Sequence, residues 1–79
     1  MNLTIVNAGS TLFAGECKLV QMPGADGLFE VMDHHAPIIA LLGKGKIKVQ
    51  TPDGANLFFD IESGALKVND NQATVLVNN

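Results

Sequence analysis

Apolar and polar residues alternate with a period of two at several places in this sequence, and turn residues separate the runs. Leu57, Phe59 and Ile61 alternate with Phe58 and Asp60. Ile47 and Val49 alternate with Lys46, Lys48 and Gln50, and Ala73, Val75 and Val77 with Thr74 and Leu76. This period puts successive side chains on opposite faces of an extended strand. Between the runs, Thr51-Pro52-Asp53-Gly54 suits a type I turn, with Pro second and Gly fourth. Asn69-Asp70-Asn71 and Gly43-Lys44-Gly45 are further breaks. No segment joins a helical period to helix caps. The best helix-like stretch, residues 36–42, is too short to outweigh a buried strand. Strands are therefore placed over residues 3–6, 11–13, 17–22, 29–31, 38–42, 46–50, 56–61, 66–68 and 73–77. Residues 17–22 switch face midway, which predicts burial on both faces or a bulge. The fold class that follows is all-β: a two-sheet β-sandwich or flattened barrel of about ten short strands.

At 79 residues the chain is one domain, spanning 1–79. A chain of this size buries about 60–65% of its unfolded surface, so its stability margin is a few kcal/mol. Hydrophobic residues make up 47% and charged residues 16%, which is too apolar for disorder and implies a partly covered surface. The formal net charge of −3 and the lack of a basic stripe argue against nucleic-acid binding. Lys44, Lys46 and Lys48 read as the wet face of a strand. One cysteine, Cys17, permits no internal disulfide, which fits a reducing compartment; it reads as a small buried hydrophobe in a strand. The first six residues lack the pattern of a signal peptide, and no apolar run approaches the ~20 residues of a membrane-spanning helix.

The reactive side chains form no recognisable constellation. His34 and His35 are adjacent, so on an extended chain they point to opposite faces and share an ion poorly. Gly43-Lys44-Gly45-Lys46 lacks the glycine spacing, the Ser or Thr and the helix of a phosphate loop. Gly24 and Gly27 lack the strand–turn–helix setting of a dinucleotide site. Neither Ser10 nor Ser63 sits in an elbow motif, and Glu16, Glu30 and Glu62 give no paired-carboxylate signature. No catalytic residue, metal or cofactor is expected. The segment with the strongest local character is Pro23 to Pro37. There two glycines three apart set a tight loop, and Pro37 restrains Ala36. It reads as a docking surface.

These residues resemble the epsilon subunit of bacterial and chloroplast F-type ATP synthases, called delta in mitochondria. Leu3-Thr4-Ile5-Val6 resembles the family's first strand, and Leu12-Phe13-Ala14-Gly15 its step into the second. Pro23-Gly24-x-x-Gly27 followed by His35-Ala36-Pro37 resembles its most recognisable segment. Leu42-x-x-Gly45-x-Ile47, Ser63-Gly64-x-Leu66-x-Val68 and Thr74-Val75-Leu76 resemble later strands. Glu30 stands where the family usually has Gly, Asp33 where it often has Pro, and Ser63 where it has the first of two glycines. The family usually continues into a C-terminal helical hairpin, which houses inhibition and, in some members, ATP binding. This chain is expected to be a short form without it.

The resemblance implies a ten-stranded β-sandwich in a central stalk. It implies a non-catalytic rotor subunit that binds the gamma subunit and the c ring and helps couple proton or sodium flow to ATP synthesis. It further implies a peripheral position on the cytoplasmic face of a bacterial membrane, with membrane association indirect. By family position, Gly24, Asp26, Gly27, Leu28, Phe29, Glu30 and Met32 form a loop facing the c ring, and Asn7, His35 and Ala40 face gamma. Leu28 and Phe29 are its large apolar groups. The alternative is a lipoyl- or biotinyl-type carrier modified on Lys44, which would sit at a hairpin tip.

Overall fold

The computed structural model describes residues 1–79. It contains nine strands: β1 (Asn2–Val6), β2 (Thr11–Glu16), β3 (Leu19–Gly24), β4 (Gly27–Met32), β5 (Ile38–Leu42), β6 (Gly45–Gln50), β7 (Asn56–Ile61), β8 (Ser63–Asn69) and β9 (Gln72–Asn78). Every expected strand is present, and the count is nine where about ten were expected. They form two layers. One has the order β2-β1-β9-β8-β5, and the other is β4-β3-β6-β7. A single residue pair, Gly24 with Leu42, carries the ladder from one layer into the other, so the sandwich is one sheet folded at a corner. On the far side the layers meet through Phe13 of β2 and Phe59 of β7, whose rings stack edge-to-face with centroids 6.4 Å apart.

The inward face of each strand follows the alternation in the sequence. Leu3, Ile5, Val20, Met22, Ile47, Val49, Leu66, Val68 and Val75 are almost completely buried and form one core. In the five-stranded layer the register aligns Ile5, Val75 and Leu66 across β1, β9 and β8. β1 and β9 pair in parallel although every other pairing is antiparallel. Non-consecutive strands bring them together, a connection that no local signal encodes.

Cys17 corrects one expectation. It is buried as anticipated, but it lies in the bend between β2 and β3 and not in a strand. Its N–H donates to the Met1 carbonyl at 2.9 Å, and that of Lys18 to the Gln50 carbonyl at 2.7 Å. The bend accounts for the face switch between Cys17 and Val20, with no bulge inside β3. Burial raises the Cys17 thiol above its ordinary pKa, which keeps it protonated and poorly nucleophilic.

The turns obey their sequence signals. At Thr51–Gly54 the Gly54 N–H donates to the Thr51 carbonyl at 2.9 Å. Asp70 and Asn71 join β8 to β9 with φ of 51° and 58°, the paired positive values of a type I′ hairpin turn. Asn71 also fastens two other segments. Its carbonyl accepts from the Asn2 N–H at 3.1 Å, and its side-chain oxygen accepts from the N–H of His34 at 2.7 Å. His34 itself has φ of 62°. Replacing Asn71 with Ala removes both the tolerance of a positive φ and the bond to His34. The expected cost is about 1–2 kcal/mol, a fall in Tm of roughly 5–15 °C for a domain this small. Thermal melts followed by circular dichroism check it, and Asn71→Gly is expected to lose less because the backbone conformation remains easy.

Candidate functional site

The tight loop expected around Gly24 and Gly27 is the turn of a hairpin. β3 and β4 pair from Leu19–Met32 to Gly24–Gly27, leaving Ala25 and Asp26 as the tip. A Cβ on Gly24 would lie 2.7 Å from the Gly27 carbonyl oxygen and 2.9 Å from the Phe29 ring, so this position admits no side chain. Gly27 has φ of 132°, which a side chain would oppose even though no atom crowds it. The hairpin is bolted to β5: the Ala25 N–H donates to the Leu41 carbonyl at 3.1 Å, and the Gly43 N–H to that of Pro23 at 2.8 Å.

All seven residues of the expected c-ring loop thus fall on one hairpin. Leu28, Glu30 and Met32 alternate outward on β4 and are exposed; Leu28 is 70% accessible. Phe29 points the other way. It is half-buried, packs on the core and covers Gly24. Asp26 lies exposed at the tip. The strand β4 pairs on one side only, so its far edge is open.

Asn7, His35 and Ala40 are not brought together. Asn7 organises the β1–β2 turn: its side-chain oxygen accepts from the N–H groups of Gly9 at 3.0 Å and Ser10 at 2.8 Å, and its amide donates to Asn79 at 3.0 Å. His35 sits at the opposite end of the five-stranded layer, beside the segment that Asn71 holds, with its Nδ1 2.7 Å from the Ala36 carbonyl. Ala40 faces inward in β5, opposite Leu66. His34 and His35 do not join a third ligand-type side chain, and no group of three or more His, Cys, Asp or Glu converges.

Just past the end of the hairpin's return strand, far from the tip, lies an ionic cluster. The Met1 amine donates to the carboxylates of Asp33 and Glu16, the latter at 3.2 Å, and to the Cys17 carbonyl at 3.3 Å. The hydrogen bond from the amine lowers the Asp33 pKa, and the bond to Asp33 raises that of the amine against the opposing effect of burial. A lowered carboxylate contributes stability above its ordinary pKa and loses it as pH falls through the folded value. A raised amine contributes below its ordinary pKa and loses it as pH rises. Asp33→Asn is therefore expected to flatten both shoulders of a plot of Tm against pH from about 3 to 10. Glu16 keeps part of the alkaline one.

Sequence reasoning missed the outer face of the five-stranded layer. The run Ile38–Leu42 was read as a buried strand, yet Ile39 is 79% and Leu41 70% exposed. Only one side of β5 faces the core. Leu76 of β9 is 57% exposed on the same outer face. The signal was present: an unbroken apolar run in β5, and Leu76 between Val75 and Val77, both violate the alternation of a strand with one wet face. Lys44, for its part, lies on the crossover from β5 to β6. Those strands do not pair, so it is not at a hairpin tip as a carrier's swinging arm requires.

A two-layer body, an edge hairpin with outward apolar groups and an apolar outer face together define a small all-β sandwich domain. The chain belongs to the ATP synthase delta/epsilon chain β-sandwich domain family, whose model matches residues 1–79. The ATP synthase epsilon chain of Protochlamydia amoebophila is 40% identical over 74 residues, covering 94% of this chain, which spans 50% of that relative's length. That of Chlorobium limicola is 40% identical over 74 residues, covering 94% of this chain and 84% of the relative. Among solved structures, a chain in the Euglena gracilis mitochondrial ATP synthase, OSCP/F1/c-ring in rotational state 1, superposes with a TM-score of 0.91 at 19% identity. It covers 98% of this chain and 49% of its own length. A chain of the Tetrahymena thermophila mitochondrial ATP synthase central stalk/c-ring gives 0.82 at 13%, covering 99% and 63%. At these identities the structural likeness is one of fold.

Proposed function

We propose that this chain is a non-catalytic rotor subunit of the central stalk of an F-type ATP synthase. In this reading it binds the gamma subunit and rests on the c ring, transmitting ion-driven rotation toward the nucleotide sites. It works as a peripheral protein at the cytoplasmic face of a bacterial membrane. The observation that carries this is the family match along the whole chain, combined with a hairpin whose outward residues are free to meet a partner. Leu28 and Met32 supply apolar contact, and Asp26 and Glu30 supply polar contact with the loops of the ring. Phe29 supports the strand from within. Asn7 and His35 belong to opposite ends of one layer, so contact with gamma through both requires a long footprint.

The test is binding of the purified chain to isolated gamma subunit and to detergent-solubilised c ring, by sedimentation. Both associations are expected. Leu28→Asp is expected to weaken the c-ring association at least tenfold while leaving Tm unchanged, because the side chain is exposed. Failure of the wild-type chain to bind either partner refutes the proposal.

A further inference from the structure

Two Asp-Gly steps occur in the chain, Asp26-Gly27 and Asp53-Gly54. Both lie in turns, both aspartates are exposed, and a Cβ on either glycine would meet nothing within 4 Å. Glycine has no side chain to shield its backbone nitrogen from the carboxyl of the residue before it. The two steps therefore start from the same chemistry, and the fold sets them apart. At Asp53 the carboxylate is held: it accepts from the Thr51 hydroxyl. The Thr51 oxygen itself accepts from the Ala55 N–H at 3.1 Å, and the Gly54 N–H donates to the Thr51 carbonyl at 2.9 Å. The bond from Thr51 lowers the Asp53 pKa and keeps the group ionised. At the hairpin tip Asp26 has no such partner. Its carboxylate makes no hydrogen bond and no ion pair with the rest of the chain. Gly27 closes the ladder opposite Gly24, so the amide side is ordered in both turns and the free carboxyl is the difference.

We infer that Asp26 is a site of spontaneous isoaspartate formation in the folded chain, and that the Thr51 turn protects Asp53 from the same reaction. The Gly27 nitrogen attacks Cγ of the protonated Asp26 carboxyl. The new C–N bond closes a five-membered succinimide as the amide proton and the carboxyl hydroxyl leave together as water. A second water then opens the ring. Opening at Cγ restores aspartate. Opening at the main-chain carbonyl carbon leaves the chain running through Cγ, one backbone carbon longer, with a free α-carboxylate. The reaction consumes and returns only water. The added carbon falls beside the Gly24–Gly27 pair and the Ala25–Leu41 hydrogen bond, and Gly24 also pairs with Leu42 at the corner between the layers. Isoaspartate at the tip therefore loosens hairpin and corner together. The inference stands apart from the rotor reading; where that reading holds, the residue that ages is one of those offered to the ring.

The experiment ages the purified chain for several weeks in warm neutral buffer, folded and in concentrated urea. Isoaspartate at each site is counted by peptide mapping and by methyl transfer from S-adenosylmethionine with an isoaspartyl methyltransferase. In the folded chain, formation at residue 26 is expected to be at least fivefold faster than at residue 53. In urea the two rates are expected to converge, because both are Asp-Gly steps without a fold around them. Thr51→Ala is expected to raise the rate at residue 53 severalfold and leave residue 26 unchanged. Asp26→Glu, which would need a six-membered ring, is expected to abolish the signal at the tip. Equal rates in the folded chain, or a faster rate at residue 53, overturn the inference. A preference for residue 26 that persists unchanged in urea assigns it to sequence and overturns it too, as does a folded tip that stays unmodified over a period in which the urea sample reacts.

Discussion

Phe29→Asp is expected to unfold most of the chain at physiological temperature. The ring is half-buried against the core and lies over Gly24. Removing a packed phenylalanine costs about 3–5 kcal/mol, and an unpaired carboxylate in its place adds a desolvation penalty. That is comparable to the whole margin of a domain this small. Urea denaturation measures the loss, and Phe29→Leu, which keeps most of the apolar volume, is expected to lose less than half as much. A Phe29→Asp chain that melts like wild type yet fails to join the stalk would show that the ring serves a partner and not the fold.

Gly24→Val is expected to lower Tm by roughly 12–24 °C, corresponding to about 3 kcal/mol. Its Cβ meets a backbone oxygen at 2.7 Å, which cannot rotate away, and the Phe29 ring at 2.9 Å. Gly24 also forms the one ladder pair between the layers. The side chain therefore opens the hairpin or the corner, and either route loosens both. Gly27→Ala is a useful contrast, since nothing lies within 4 Å of that Cβ and its cost comes from a φ of 132° alone. The Gly24 and Phe29 effects are coupled: removing the ring relieves one clash of Gly24→Val and leaves the other, so the double variant is expected to fall short of the sum. A Gly24→Val melting temperature within a few degrees of wild type would show that the hairpin moves freely.

The strands were legible because one face of each is dry. Leu3 and Ile5, Ile47 and Val49, and Val75 and Val77 point into one core, and their spacing says so directly. The turns were legible because Pro52, Gly54 and Asn71 carry the backbone preferences that those turns need. The hairpin tip was legible from Gly24 and Gly27, although the strand Gly27–Met32 extends past the expected 29–31 at both ends. The pairing of β1 with β9, the corner at Gly24 and Leu42, and the bend at Cys17 were not legible. Each depends on which distant segment meets which, and no residue type specifies that. The apolar outer face of the five-stranded layer was hidden for a different reason. Apolar runs were assigned to burial within the chain, whereas Ile39, Leu41 and Leu76 face out.

The parallel pairing of the first strand with the last has a consequence for how the chain is made. On a ribosome β1 emerges first, but the strand that flanks it in the finished layer emerges last of the nine. Synthesis runs at about 5–20 residues per second, so β1 waits several seconds with only β2 to pair with. During that interval the strands β3, β4, β6 and β7 can already zip together. Completion of the five-stranded layer then requires closure of a loop nearly as long as the protein, the kind of non-local step that slows folding. An exposed β1–β2 ribbon during those seconds is the point at which the nascent chain is open to mispairing with a neighbour.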